Sequence, residues 1–156
     1  MPYSTFLEAD KDNSDDGESN IMTELAISIR LDMPFAETVD ATREALSEQG
    51  FGILTEIDMQ STLKAKIDAD IERYVILGAC NPRLAKSAID TDRQVGLLLP
   101  CNVIVRADGG STIVEAMNPQ VMVGLSDAPG LADVADEATA LLHAAIMALS
   151  GESSST

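Results

Sequence analysis

A chain of 156 residues with 46% apolar and only 3% aromatic residues can build one domain, with a core filled by aliphatic side chains. Its formal net charge of −16 repels phosphate backbones, which excludes nucleic acid and anionic membrane as partners. No apolar run approaches the roughly 20 residues that span a bilayer, and the N-terminus shows neither a basic n-region nor an apolar h-region, so a cytoplasmic protein with two reduced cysteines is expected.

Residues 1–22 hold six acids and one lysine, and residues 23–156 hold 20 acids and nine bases, so the acidity belongs to both parts. Acid excess with only four lysines is what a protein working in high salt tends to show; an acidic surface in an ordinary cytoplasm accounts for it equally. The polar, acidic composition of 1–22 predicts a disordered tail, because it cannot bury enough surface to offset its ordering entropy. Residues 23–150 are expected to form one domain, and 151–156 a loose end.

The first strand is predicted over Thr23 to Leu31, where Leu25, Ile27 and Ile29 alternate with Ala26, Ser28 and Arg30. Pro34 opens a helix that runs to Gln49, with Phe35, Val39, Thr42 and Leu46 on one stripe and Gly50 as its stop. Gly52 to Asp58 reads as a strand with Ile53, Thr55 and Ile57 on one face. Asp58 then caps a short helix through Ile67. Ile71 to Ala79 is almost wholly apolar and reads as a central strand.

Asn81-Pro82 starts the next helix, with asparagine as cap and proline in the first turn; Leu84, Ala85, Ala88 and Ile89 form its buried stripe. Val95 to Ala107 reads as a long strand with a bulge, edge or break at Pro100, which cannot donate to a ladder. Asp108-Gly109-Gly110 is a hairpin turn, and Ser111 to Met117 returns beside it. Residues 119–129 are ambiguous between strand and helix. The last helix, about Leu131 to Ser150, carries a continuous stripe through Ala138, Leu142, Ile146 and Leu149. The order β-α-β-α-β-α-β-β-α predicts an α+β protein, a two-layer sandwich with a mixed sheet and helices packed on one face.

The segments GFGILTEIDMQSTLKAK, YVILGACNPRLAKSAI and VGLLLPCNVIV, in that order and spacing, resemble the domain-of-unknown-function family 302. The resemblance covers roughly Leu25 to Leu149. It implies a compact α/β domain, commonly a homodimer, and brings no established activity with it.

Two residues stand out as candidate chemistry. Cys80 precedes a helix N-terminus, whose unpaired N–H groups favour an anion, and Cys101 follows the strand defect at Pro100. If the strands that carry them are neighbours, the pair suits a small-molecule or soft-metal pocket, or a redox dithiol; two buried thiols that merely pack are the alternative. No CxxC occurs, and two cysteines with one distant histidine fall short of a four-ligand zinc site. Asn102 is out of place in a strand and is a candidate ligand contact, or a partner for backbone left unpaired by Pro100. Asp58, two residues after Glu56, is a candidate acid or cation ligand as well as a cap. His143 falls opposite the apolar stripe of the last helix, which argues against a Cys-His pair or a Ser-His-Asp triad. No glycine-rich phosphate loop is present, so a soft metal ion is the one cofactor with any support. Three functions remain open: a homodimeric binding domain with a thiol-lined pocket, a thiol-dependent redox enzyme using Cys80 and Cys101, and a structural or protein-interaction domain.

Overall fold

The computed structural model describes residues 20–155, with side chains from Ile21 to Ser150. The chain runs β1 (Asn20–Met22), β2 (Ala26–Leu31), α1 (Phe35–Glu48), β3 (Gly52–Asp58), α2 (Met59–Ile67) and β4 (Tyr74–Cys80). It continues with α3 (Pro82–Thr91), a 3-10 helix (Arg93–Leu98), β5 (Cys101–Asp108), β6 (Ser111–Met117), α4 (Gln120–Leu125) and α5 (Leu131–Ser155). The strands form one six-stranded sheet in the order β1-β2-β6-β5-β4-β3.

The α+β sandwich is as expected, but the sheet is not mixed: every neighbouring pair is antiparallel. β2 and β3 point the same way and are joined through α1, which on sequence suggests parallel neighbours. They lie apart because β6, β5 and β4 stand between them. The hairpin β5–β6 and the antiparallel return β3–β4 thus set the pairing.

One face of the sheet carries Ile27, Ile29, Leu31, Val75, Leu77, Ala79, Cys101, Val103, Val105, Val114 and Ala116, all buried together with Val39, Ala45 and Leu46 of α1 and Leu142, Ala145, Ile146 and Leu149 of α5. Strand alternation puts these residues on one side at period two, and helical spacing puts their partners on one stripe. A second, smaller cluster joins Ala88, Val95, Met122, Leu131 and Ala135, from α3, the 3-10 helix, α4 and the start of α5. Among the described residues no helix is long and apolar enough to cross a membrane.

The local chemistry of the sequence sets the boundaries, with instructive differences. β2 begins at Ala26, three residues later than expected, because the Thr23 hydroxyl accepts hydrogen bonds from the Leu25 and Ala26 N–H groups and turns the chain. Pro34 is the cap of α1, one place before its first turn, and Gly50 ends that helix at φ +87°. Asp58 caps α2 by accepting from the Ser61 N–H at 3.0 Å. The stretch from Val95 is divided: a 3-10 helix ends at Leu98 and the strand starts at Cys101, so Pro100 marks a break. The ambiguous 119–129 region contains α4.

The strand irregularity is in β3, where the alternation looked regular. Ile53 pairs with Ala79 and Thr55 with Gly78, so Leu54 is an extra residue in the ladder. Past this bulge Glu56, opposite Leu77, lies on the core-facing side, where it pairs with Arg43 of α1. Thr55 and Ile57 turn to the other face. Of the tail expected to be disordered, residues 1–19 lie outside the described residues, whereas Asn20–Met22 forms β1 against β2. The helix expected to end at Ser150 continues through Ser155, across most of the expected loose end, and residue 156 lies outside the described residues.

Gly78, central in β4, is held in a notch: a Cβ there would press into Thr55 Oγ1 and lie 2.9 Å from Pro100 Cγ. Thr55 is β-branched and Pro100 is a ring, so neither yields easily. Gly78→Ala is expected to destabilise the fold by about 1–3 kcal/mol, as overpacking does. Urea titration checks this, and Thr55→Ala in the same chain should restore part of the loss.

Candidate functional site

The antiparallel pairing of β4 and β5 places Cys101 beside Ala79, so Cys80 is the next residue along the neighbouring strand. Asn81, which follows, caps α3: its side-chain oxygen accepts from the Leu84 N–H at 3.3 Å, and its amide donates to the Gln49 carbonyl at 3.5 Å. It therefore ties the start of α3 to the end of α1. Pro82 occupies the first turn of α3, where a missing N–H costs nothing. These contacts hold Cys80 at the mouth of a helix and Cys101 beneath it.

The two cysteines line one cavity. Its other walls are Phe51, Ala79, Leu84, Leu99, Met122 and Ala138, with Asn81, Ala85, Ala88 and Val134 completing the lining. Phe51, Ala79 and Cys101 belong to the large core cluster, whereas Ala88 and Met122 belong to the small one. The cavity is thus the seam between two cores. α5 lines the seam with Val134 and the small Ala138, and a small residue where two packed regions meet leaves space. The free interior is ≈20 Å³, about the room one water needs, and its walls are almost wholly apolar. An organic ligand would fit only if neighbours moved.

Both thiols are free. Cys101 is buried at 7% exposure, and burial pushes its thiol up from 9.0 to about 11, with the nearby Cys80 as a second, smaller cause. At neutral pH Cys101 is therefore a protonated, poorly nucleophilic thiol. Cys80 is only partly buried. Among the described residues no group of three or more His, Cys, Asp and Glu side chains converges as a metal site; the sulfur-bearing side chains of the cavity lining are Cys80, Cys101 and Met122.

The other expected site residues lie elsewhere. Asn102 is exposed on the opposite face of the sheet, across from Gly78. Asp58 sits at the far end of β3 from Gly52, the residue that pairs with Cys80. Its carboxyl is held below the usual range chiefly by the Ser61 backbone N–H that it caps. His143 is exposed on α5. Sequence reasoning missed Ala138, Leu84 and Met122, whose only signal was apolar spacing on three separate helices.

A thiol whose proton is held more tightly in the native state than in the unfolded chain stabilises the fold below the unfolded value. That contribution from Cys101 should be intact below about pH 9 and disappear as pH rises towards about 11. Denaturant titrations at pH 8 and 10.5 should show a drop that is smaller in Cys101→Ala. In native protein at pH 8, iodoacetamide should modify Cys80 well before Cys101.

The chain has relatives by sequence family and by fold. The family described as "Domain of unknown function DUF302" matches residues 27–149. The crystal structure of an uncharacterized conserved protein DUF302 from Bacillus stearothermophilus superposes with a TM-score of 0.73 at 28% identity, covering 78% of this chain and 95% of that one. No curated protein matches it in sequence.

Proposed function

The chain belongs to the DUF302 family, and we propose that it is a small homodimeric binding domain that takes one soft metal ion, copper(I), between Cys80 and Cys101. The observation that carries this reading is that both cysteines line a single cavity of about one atom's capacity. Two cysteine thiols, with the Met122 thioether in the same lining, suit copper(I), which accepts low coordination and prefers soft donors. The apolar walls offer a competing water few hydrogen-bond partners. Cys101 must lose its proton to bind, and a soft cation supplies the driving force for that displacement. Two unpaired thiols suit a reducing compartment, and we place the protein in the cytoplasm.

Anaerobic titration of the reduced protein with copper(I), against a chromogenic chelator, tests the proposal. One ion per chain should bind, and Cys80→Ser and Cys101→Ser should each weaken binding by about 100-fold or more, since each removes a thiolate ligand. The affinity should rise with pH, by up to about 100-fold per unit where both thiols are protonated, because two protons leave. Binding that survives Cys80→Ser would sink the metal reading. Ready loss of both thiols in air with two hydrogens missing from the intact mass would favour the redox dithiol. No binding, with unchanged stability in the double alanine variant, would leave the cysteines as packing.

A further inference from the structure

We infer that the sheet face turned away from α1 and α5 is the surface on which a second copy of this chain docks; this rests on the homodimer reading above and names its interface. An isoleucine row crosses this face through registered pairs, from Ile57 in β3 to Ile76 in β4 and Ile104 in β5. Tyr74, Ile113 and Met117 extend it, and none of the six belongs to either buried cluster. Among the described residues, α2 is the one helix absent from both clusters, and it buries none of its own residues. The face is therefore apolar and, among the described residues, outside the buried core.

Charge distinguishes this surface from the rest of the molecule. The chain carries −16, and two copies repel each other wherever acidic surfaces meet. This face instead presents Arg30, Arg106, Asp108 and Glu115, two of each sign. They are already paired: Arg30 with Asp108 at 2.5 Å and Arg106 with Glu115 at 3.1 Å, with the Ser28 hydroxyl donating to Glu115 at 3.2 Å. A neutral face with internally satisfied charges can be buried against itself without stranding a lone ion. It also meets the demand of a twofold contact, which must be complementary to itself.

The area approaches that of a specific contact. Six strands about 4.8 Å apart and about six residues long at about 3.3 Å per residue present roughly 500 Å² in projection. Two copies face to face cover roughly 1,000 Å² before side-chain relief is counted, against about 1,200–2,000 Å² in a specific interface. Stacked this way, the sheets would lie about 10 Å apart, with α1 and α5 outermost on both sides.

Sedimentation equilibrium of the wild type, Ile104→Lys and Ile57→Lys, at low and high salt, tests the assignment. Lysine at 104 can reach Glu115 within its own chain, so the monomer should tolerate it. Ile57 is already 43% exposed at the sheet edge, so its variant is the safeguard against misfolding. The wild type should dimerise, and more tightly in high salt, which screens the repulsion between acidic copies. Ile104→Lys should raise the dissociation constant about 100-fold or more, as a central substitution does, and Ile57→Lys about 10-fold, with circular dichroism unchanged. A wild-type dimer that both folded variants leave intact would overturn the face and spare the homodimer. A wild type that stays monomeric at both salts would overturn both. Neither outcome depends on metal uptake.

Discussion

Burial of the stripe along α5 holds the two layers together. Its C-terminal half places Leu142, Ala145, Ile146 and Leu149 against the sheet and α1, while Leu131 and Ala135 at its start pack with α3, α4 and the 3-10 helix. Each large aliphatic side chain moved from water into such a setting contributes about 1.5–3 kcal/mol. One helix thereby serves two cores that do not merge. The seam between them is the place where a small residue, Ala138, leaves the cavity that both cysteines line. The candidate site is a by-product of how this helix divides its stripe.

Much of this architecture was legible in the residues. The Gly50 stop, the Asp58 and Asn81 caps and the Gly109-Gly110 turn are local devices whose physics is complete within a few positions. Sheet order was not legible, because it depends on which strands meet after the chain has crossed the sheet. The expectation of a mixed sheet came from the alternation of strands and helices before the hairpin, but α1 links strands separated by three others. The Leu54 bulge was hidden for a related reason. Ile53, Thr55 and Ile57 alternate faultlessly, and only the pairing with Ala79 and Gly78 shows the extra residue.

The site was half legible. The cysteines were conspicuous because one precedes a capped helix and the other follows a proline, and the strands that bear them are neighbours. Asn102 and Asp58 looked chemical and prove to be an exposed residue on the far face and a helix cap. Their types suggested chemistry; their surroundings do not bring them to the cavity. The walls that define the cavity's size are ordinary aliphatic residues, whose convergence from β4, α3, α4 and α5 no local pattern announces.

The unequal size of the two clusters has a consequence for motion. The smaller one has five buried residues, three of them on the short α3, 3-10 helix and α4, and α4 is only six residues long. Regions with fewer buried contacts open at lower free energy than the rest of a fold. A sub-global opening would lift α3, the 3-10 helix and α4 from the start of α5 while the sheet, α1 and the remainder of α5 stay assembled. Cys101 would then meet solvent without global unfolding. Access to Cys101 is in this sense a property of the weaker core, and it depends on residues such as Val95 that lie outside the cavity's lining.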